Sequence, residues 1–381
     1  MDKRKAFKRM EKNLSTNIAF IGTGTMGAPI AARIIDAGYK VAVYNTDDKK
    51  CEELVAKGAR KCSSVAEAAK GADVVFTMLG GPGDVETVYL AKEGLLRNVK
   101  AGTWLVDMTT SSPHLAKGIA EFAETANLHA FDCPVSGGKT SAEAGTLTLM
   151  AGISQDEAQE VEPILSEFAS EIFWFDKPGA GQSAKLCSQL SLAGCMVGMA
   201  DALALAQQSE LDGKKVIDMI NSGMGASRAT ELMAQKALDG DYRPGFTNGH
   251  MRKDIALAIQ NSEDLDITLP GAETAFTLYD MLCQIGGENL GMQAISVLYQ
   301  DEAAAVAAGL DWSYLDQDSL GYAHEEADGH DHAHGEECGC GHDHAHGDEC
   351  GCGHDHTHGD ECGCGHDHTH GDECGCGHNH H

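Results

Sequence analysis

The chain has 381 residues, enough for two domains that each bury a core. Its 28 basic and 58 acidic residues leave a formal charge of −30, which argues against the clustered cations that nucleic acid or an anionic membrane surface would need. Half of that excess lies from His324 onward, where 15 acids stand without a Lys or Arg.

In chain order, residues 1–16 are basic between Lys3 and Lys12 but carry acids too and lack a signal peptide's apolar run, so they read as a solvated leader. From 17 to 178, short apolar runs alternate with helix-period segments. Strands are expected at 18–21, 41–44, 74–78, 103–106 and 130–131, with helices at 28–37, 49–57 and 65–69. This alternation predicts an α/β domain of Rossmann type, a doubly wound parallel sheet. Past 179–181 the strand-like runs cease. Helices are expected at 183–211, 214–221, 228–238, 251–260, 270–285 and 292–308, so an all-α domain over 179–310 should follow, joined by a long interdomain helix. No stretch reaches about 18 uninterrupted apolar residues, so no membrane span is expected. The segment 190–206, broken by Ser191, Gly194, Gly198 and Asp201, reads as a buried helix. Cys51, Cys62, Cys133, Cys187, Cys195 and Cys283 follow no framework spacing and read as reduced thiols of a cytoplasmic protein.

Residues 311–381 are a linker and a low-complexity tail. A 12-residue unit of the form GHDHxHGDECGC begins at Gly329, Gly341, Gly353 and Gly365, and a partial copy starts at Gly377. With almost no large apolar side chains it cannot bury a core and is expected to be disordered without a ligand.

The first chemical motif follows the first strand: Gly22-Thr-Gly24-Thr25-Met26-Gly27 opens directly into an amphipathic helix. In that setting the three glycines permit a tight turn, close backbone approach to a dinucleotide pyrophosphate, and tight helix–strand packing. The helix N-terminus adds free N–H groups and a positive dipole end. At the end of the second strand, Asn45 and Thr46 stand where an acid would grip the ribose of NAD and repel a 2′-phosphate. Neutral Asn45, with Lys49 and Lys50 behind it, tilts the cofactor toward NADP over NAD. A helix cap at Thr46 or Asp47 with solvated lysines explains the same residues.

Further stretches follow in order: Thr77-Met78-Leu79, Asp107-Met-Thr109-Thr110-Ser-Ser-Pro113, Asp132-Cys-Pro134-Val-Ser136-Gly137-Gly138 with Ala144-Gly145-Thr146-Leu147, Gly179-Ala-Gly181 with Lys185, and Phe246 with Lys253-Asp254. Over residues 17 to 310 this set resembles the 3-hydroxyisobutyrate dehydrogenase, or β-hydroxyacid dehydrogenase, family. The resemblance implies an NAD(P)-dependent oxidoreductase interconverting a small β-hydroxy acid and its semialdehyde, as a homodimer or homotetramer. It makes Lys185 the catalytic lysine, and Ser136, Gly137, Gly138, Gln189 and Asp254 the substrate-side residues. Met78, Leu79, Thr110, Phe246 and Lys253 join the glycine turn on the cofactor side, with Lys253 closing over the cofactor. The chemistry fits: a lysine shielded from water can hold a proton near neutrality, and small glycine loops present N–H groups to a carboxylate. The family usually carries asparagines three and four residues after the lysine. Here Ser188 and Gln189 stand there, still on the lysine's helix face, and Lys139-Thr140-Ser141 is a second departure that bears on the pocket.

In the tail, His330, His332 and His334 alternate ahead of Cys338 and Cys340, and His342, His344 and His346 precede Cys350 and Cys352. Alternate side chains on an extended strand share a side, and imidazole with thiolate suits Zn or Ni rather than Mg or Ca. No metal is needed for a lysine-based hydride transfer. Two rival readings are a metal-storage or metallochaperone protein on a dehydrogenase scaffold, separable by deleting residues 324–381, and an imine reductase, which a requirement for a carboxylate-bearing substrate opposes.

Overall fold

The computed structural model describes residues 14–300 and 302–314; the leader up to residue 13 and the repeat tail with its metal-binding expectation lie outside the described residues. The first sheet is built from β1 (Asn17–Ile21), β2 (Lys40–Tyr44), β3 (Arg60–Lys61), β4 (Val74–Thr77), β5 (Trp104–Asp107) and β6 (His129–Asp132). All pair in parallel in the order β3-β2-β1-β4-β5-β6. The helices between them are α1 (Gly27–Asp36), α2 (Glu52–Ala56), α3 (Val65–Ala69), α4 (Pro82–Leu90), α5 (Leu95–Asn98) and α6 (Pro113–Thr125). Period-2 alternation feeds both faces: Ile18, Phe20, Val74, Phe76 and Val106 join one core, Ala19, Ile21, Val75 and Leu105 the other. Strand order reverses between β1 and β4, which opens a crevice at their carboxyl ends, the place where such sheets bind ligands.

A second, three-stranded sheet follows that was not expected: β7 (Val135–Ser136), α7 (Gly138–Ala144), β8 (Leu147–Ala151), α8 (Glu162–Leu165) and β9 (Ala169–Trp174). β8 pairs antiparallel with β7 and parallel with β9. Two residues of β7 are too few for a periodicity signal, and no residue of β9 is fully buried, whereas β8 is an apolar run buried at four of its five positions.

The remainder is helical, as expected: α9 (Ala180–Gln208), α10 (Gly213–Asn221), α11 (Arg228–Leu238), α12 (Asn248–Asp264), α13 (Pro270–Gln284) and α14 (Glu302–Ala307). The 292–308 segment is not one helix. It is a 3₁₀ stretch, Met292–Tyr299, followed by α14. Residues 292–297 are all buried, so packing rather than an amphipathic period sets their geometry. The helical body also extends past 310: Leu310 is buried, Asp311 N–H donates to the Ile285 carbonyl, and Trp312 packs against the same core.

α9 is long and apolar enough by length and composition alone to cross a membrane. Here its buried Met196, Met199 and Ala200 meet Met251 and Ile255 of α12, Tyr279 and Leu282 of α13, and Ile295 in one core. It therefore runs as the axis of the helical half with one face buried, while Leu205 near its end is 70% exposed, so the segment 190–206 is a helix but not the buried one expected.

Candidate functional site

The glycine turn is built by close approach. Gly22 has φ +93, and a Cβ there would run into the Met78 carbonyl oxygen; its N–H donates to Tyr44 O at 2.9 Å. A Cβ on Gly27 would strike the Gly22 carbonyl, while Gly24 faces open space with nothing within 4 Å. Two glycines thus serve packing, and the middle one keeps a volume free at the start of α1. The α1 N-cap, Met26, makes no side-chain cap bond, so the first-turn N–H groups have no such acceptor. The cradle fits a dinucleotide phosphate. Met78 packs against the adjacent core and Leu79 against its opposite face.

At the end of β2, Asn45 Oδ1 accepts the Asp47 N–H at 2.9 Å, and Asp47 in turn caps the 3₁₀ turn Asp48–Cys51 by accepting Lys49 N–H. The cap is Asp47, one of the two expected alternatives. Thr46, Lys49 and Lys50 are exposed, and Asp48 pairs with Lys61 at 2.8 Å.

The long helix is seated by a carboxylate. Asp132 ends β6 and its Oδ1 accepts the Gly179 N–H at 2.7 Å while Oδ2 accepts the Gln182 N–H at 2.6 Å. Those are orphan donors at the start of α9, whose N-cap Gly179 is left-handed at φ +79. Gly181 has no room for a Cβ against the Met150 carbonyl and Asp132. Gln182 then ties the helix to the loop after β5: its Oε1 accepts Ser111 N–H at 2.9 Å and its Nε2 donates to Thr109 O at 2.7 Å.

One turn further along α9 lies Lys185, 7% exposed. Its Nζ donates to Gln189 Oε1 at 2.9 Å, and Gln189 Nε2 donates to Asp254 Oδ2 at 2.7 Å. Asp254 Oδ1 is 2.8 Å from Lys253 Nζ, an ion pair without hydrogen-bond alignment. Lys253 Nζ donates to Thr110 O at 3.0 Å and its stem crosses the Gly81 backbone. Burial lowers the Lys185 pKa, the Asp254 charge raises it, and Lys253 lowers it again. A buried lysine with weakened hold on its proton, beside an amide and an acid, can give or take a proton.

The substrate-side glycines form their own corner. Gly137 (φ +134) and Gly138 (φ +71) both require left-handed backbone, and a Cβ on Gly137 would lie 2.7 Å from Ser141 Cβ. Ser136 ends β7, and Gly138 starts α7 facing open space. Lys139 points out to pair with Glu143, so of that departing triplet only Ser141 packs beneath the loop. No hydrogen bond among the described residues joins Ser136, Gly137 or Gly138 to Lys185; β8 and Asp132 connect the two corners. Phe246 stacks on His250 at 5.8 Å, one turn before Lys253.

The structure thus draws Lys185, Gln189, Asp254, Lys253 and Thr110 into one connected set, and Gly22, Met78 and Leu79 into another. Three residues with no expected role join them. Asp107 at the end of β5 receives Thr77 Oγ1 at 2.8 Å and Thr109 N–H at 3.1 Å, and Thr109 Oγ1 accepts Leu79 N–H at 2.9 Å. Asp132 and Gln182 carry the connection on to α9. Both acids close a strand at its carboxyl end, a visible signal; Gln182 had none beyond its place between Gly181 and Lys185.

Comparison with known proteins assigns both halves of the chain to known families. Residues 17–175 match the family described as the NAD binding domain of 6-phosphogluconate dehydrogenase, and 179–299 match the NAD-binding family of NADP-dependent 3-hydroxyisobutyrate dehydrogenase. The Bacillus subtilis oxidoreductase YkwC is 40% identical over 286 residues, 75% of this chain and 99% of its own length. The Pseudomonas aeruginosa 3-hydroxyisobutyrate dehydrogenase is 34% identical over 289 residues, 74% of this chain and 97% of its own. Among solved structures, Mycobacterium tuberculosis 3-hydroxyisobutyrate dehydrogenase with L-serine superposes with a TM-score of 0.70 at 29% identity, covering 75% of this chain and 99% of that one.

Proposed function

The chain belongs to the 3-hydroxyisobutyrate dehydrogenase family, and from that premise we propose that it interconverts a small β-hydroxy acid and its semialdehyde using a nicotinamide dinucleotide. The observation that carries this is buried Lys185 bonded to Gln189, on a helix whose first turn docks at the crevice end of the Rossmann sheet. A bound nicotinamide supplies or accepts the hydride. Lys185 holds the proton at Nζ: it donates to the carbonyl oxygen in reduction and, as the neutral amine, takes the hydroxyl proton in oxidation. Ser136, Gly137 and Gly138 offer N–H groups to the substrate carboxylate, and Gln189 with Asp254 orients Lys185. The serine in the structure of the M. tuberculosis relative is itself a three-carbon β-hydroxy acid, which supports a substrate of that size class. Neutral Asn45 favours NADP, since the nearby acids Asp47 and Asp48 are engaged as a cap and an ion pair. The test is a panel of β- and γ-hydroxy acids with NAD and with NADP, followed by nicotinamide absorbance. Lys185→Ala should abolish turnover and keep cofactor binding; retained turnover would overturn the assignment.

For the tail we propose a separate role, binding Zn or Ni through the recurring histidines and Cys-Gly-Cys pairs. Removing residues 324–381 should abolish metal uptake and leave turnover unchanged. Six thiols without a disulfide among the described residues suit a cytoplasmic setting. Exposed Leu205, Leu211 and Met219 on the helical half suit a homodimer or homotetramer, which light scattering would measure.

A further inference from the structure

Asp107 is the point where three crevice segments are tied together. Its Oδ1 receives the Thr77 hydroxyl from β4 and the Thr109 N–H from the loop after β5. Because Thr77 donates to it, Tyr89 of α4 is left to donate to Thr77 Oγ1 at 3.0 Å. Thr109 then accepts the Leu79 N–H with its hydroxyl and the Gln182 amide with its carbonyl, which carries the tie to α9 and Lys185. The titratable groups facing this carboxylate are Tyr89, Asp132 and Cys133. Asp107 is 6% exposed and, among the described residues, makes no ion pair with a cation. Neutral side chains could accept the same two bonds without the desolvation penalty of a buried charge, so the charge is a feature that folding alone does not call for.

We propose that Asp107 is a positioning residue for cofactor binding: its buried carboxylate holds the Leu79 and Thr109–Thr110 loops in the arrangement that receives the nicotinamide dinucleotide. The proposal rests on the dehydrogenase reading given above. Ionised, the carboxylate makes the stronger, charge-assisted acceptor; protonated, it holds Thr77 and Thr109 less firmly. Burial pushes its pKa up to about 6, with the Thr109 and Thr77 bonds opposing, so the change falls in a range that solution experiments reach easily.

The test is fluorescence titration of the full chain with NADPH and NADH from pH 5 to 8. Wild-type affinity should weaken by about tenfold, the worth of one good hydrogen bond, as pH falls through that midpoint. Asp107→Asn should hold the weak value at every pH. Thr77→Val removes a bond that favours the ionised form, so its midpoint should move to higher pH, and it decides the matter if Asp107→Asn does not fold. A wild-type affinity that is level across the range, or a variant whose profile matches wild type, overturns the role of Asp107 while leaving the dehydrogenase reading intact. A wild-type chain that binds neither dinucleotide at any pH overturns both.

Discussion

Gln189 faces two ways from a single helix turn: it accepts from Lys185 Nζ at 2.9 Å and donates to Asp254 at 2.7 Å. The amide thereby fixes its own orientation, oxygen toward the cation and nitrogen toward the acid. It also stands where the sequence resemblance leads one to expect an asparagine, with one more methylene of reach.

That relationship gives a pH prediction. On the proposed mechanism, oxidation of the hydroxy acid needs Lys185 as the neutral amine, so kcat/KM should rise with pH to a plateau, with a midpoint below the ordinary lysine value, because burial disfavours the ammonium. Asp254 opposes this shift. In Asp254→Asn the midpoint should therefore move to still lower pH. A midpoint that stays in place or climbs would separate Asp254 from Lys185.

The glycine turn predicts two different failures. Gly27→Ala drives a methyl into the Gly22 carbonyl and should lower stability by about 1–3 kcal/mol, as overpacking does. Gly24→Ala meets nothing within 4 Å in the free protein. Its melting temperature should match wild type while dinucleotide affinity falls, which thermal melts and titrations would compare directly. Equal melting losses in both variants would argue that Gly24 is only a packing residue.

Asp132 caps α9 through two buried N–H groups. Asp132→Ala should cost about 1–3 kcal/mol, the range for a lost cap and unsatisfied buried donors. Because Gln182 rides on that first turn and Lys185 one turn further along the same helix, kcat should fall as well, more than in a surface variant of equal stability. Full activity with unchanged melting would contradict the capping role.

Asp107 predicts how stability varies with pH. Its pKa is about 6 in the fold, against an ordinary value of 3.8, so the folded state favours the protonated form. This contribution to stability is fully present below about pH 4 and is lost as pH rises through 6. The loss is about 3 kcal/mol for a shift of this size. Stability of Asp107→Asn minus that of wild type should therefore grow by about this amount between pH 4 and 8. A difference that is flat with pH, measured by urea titration, would mean that Asp107 does not titrate as a buried acid.

Local patterns made much of the fold readable. Strand runs such as 74–78 are apolar on both faces because the sheet is covered on both, and the glycine motif sits between a strand and a helix where its geometry is usable. The second sheet was only partly readable: β7 is two residues long and β9 has no fully buried residue, whereas β8 is an apolar, mostly buried run that did carry a strand signal. The 292–308 segment misled for a different reason: residues 292–297 are buried whatever their polarity, so that stretch carries no period from which to read its helix type.

By itself the sequence determined the two-part architecture, the dinucleotide turn and the presence of Lys185, Gln189, Lys253 and Asp254, because these depend on residue type at short spacing. Only the tertiary structure decided that Asp254 reaches Gln189 across 65 residues, that Lys253 reaches Thr110 across 143, and that Asp107 and Asp132 act as ties. Hydrogen bonds between distant segments exist only once packing has brought the strand ends and helix starts together. No local pattern of residues encodes which buried carboxylate will receive which N–H.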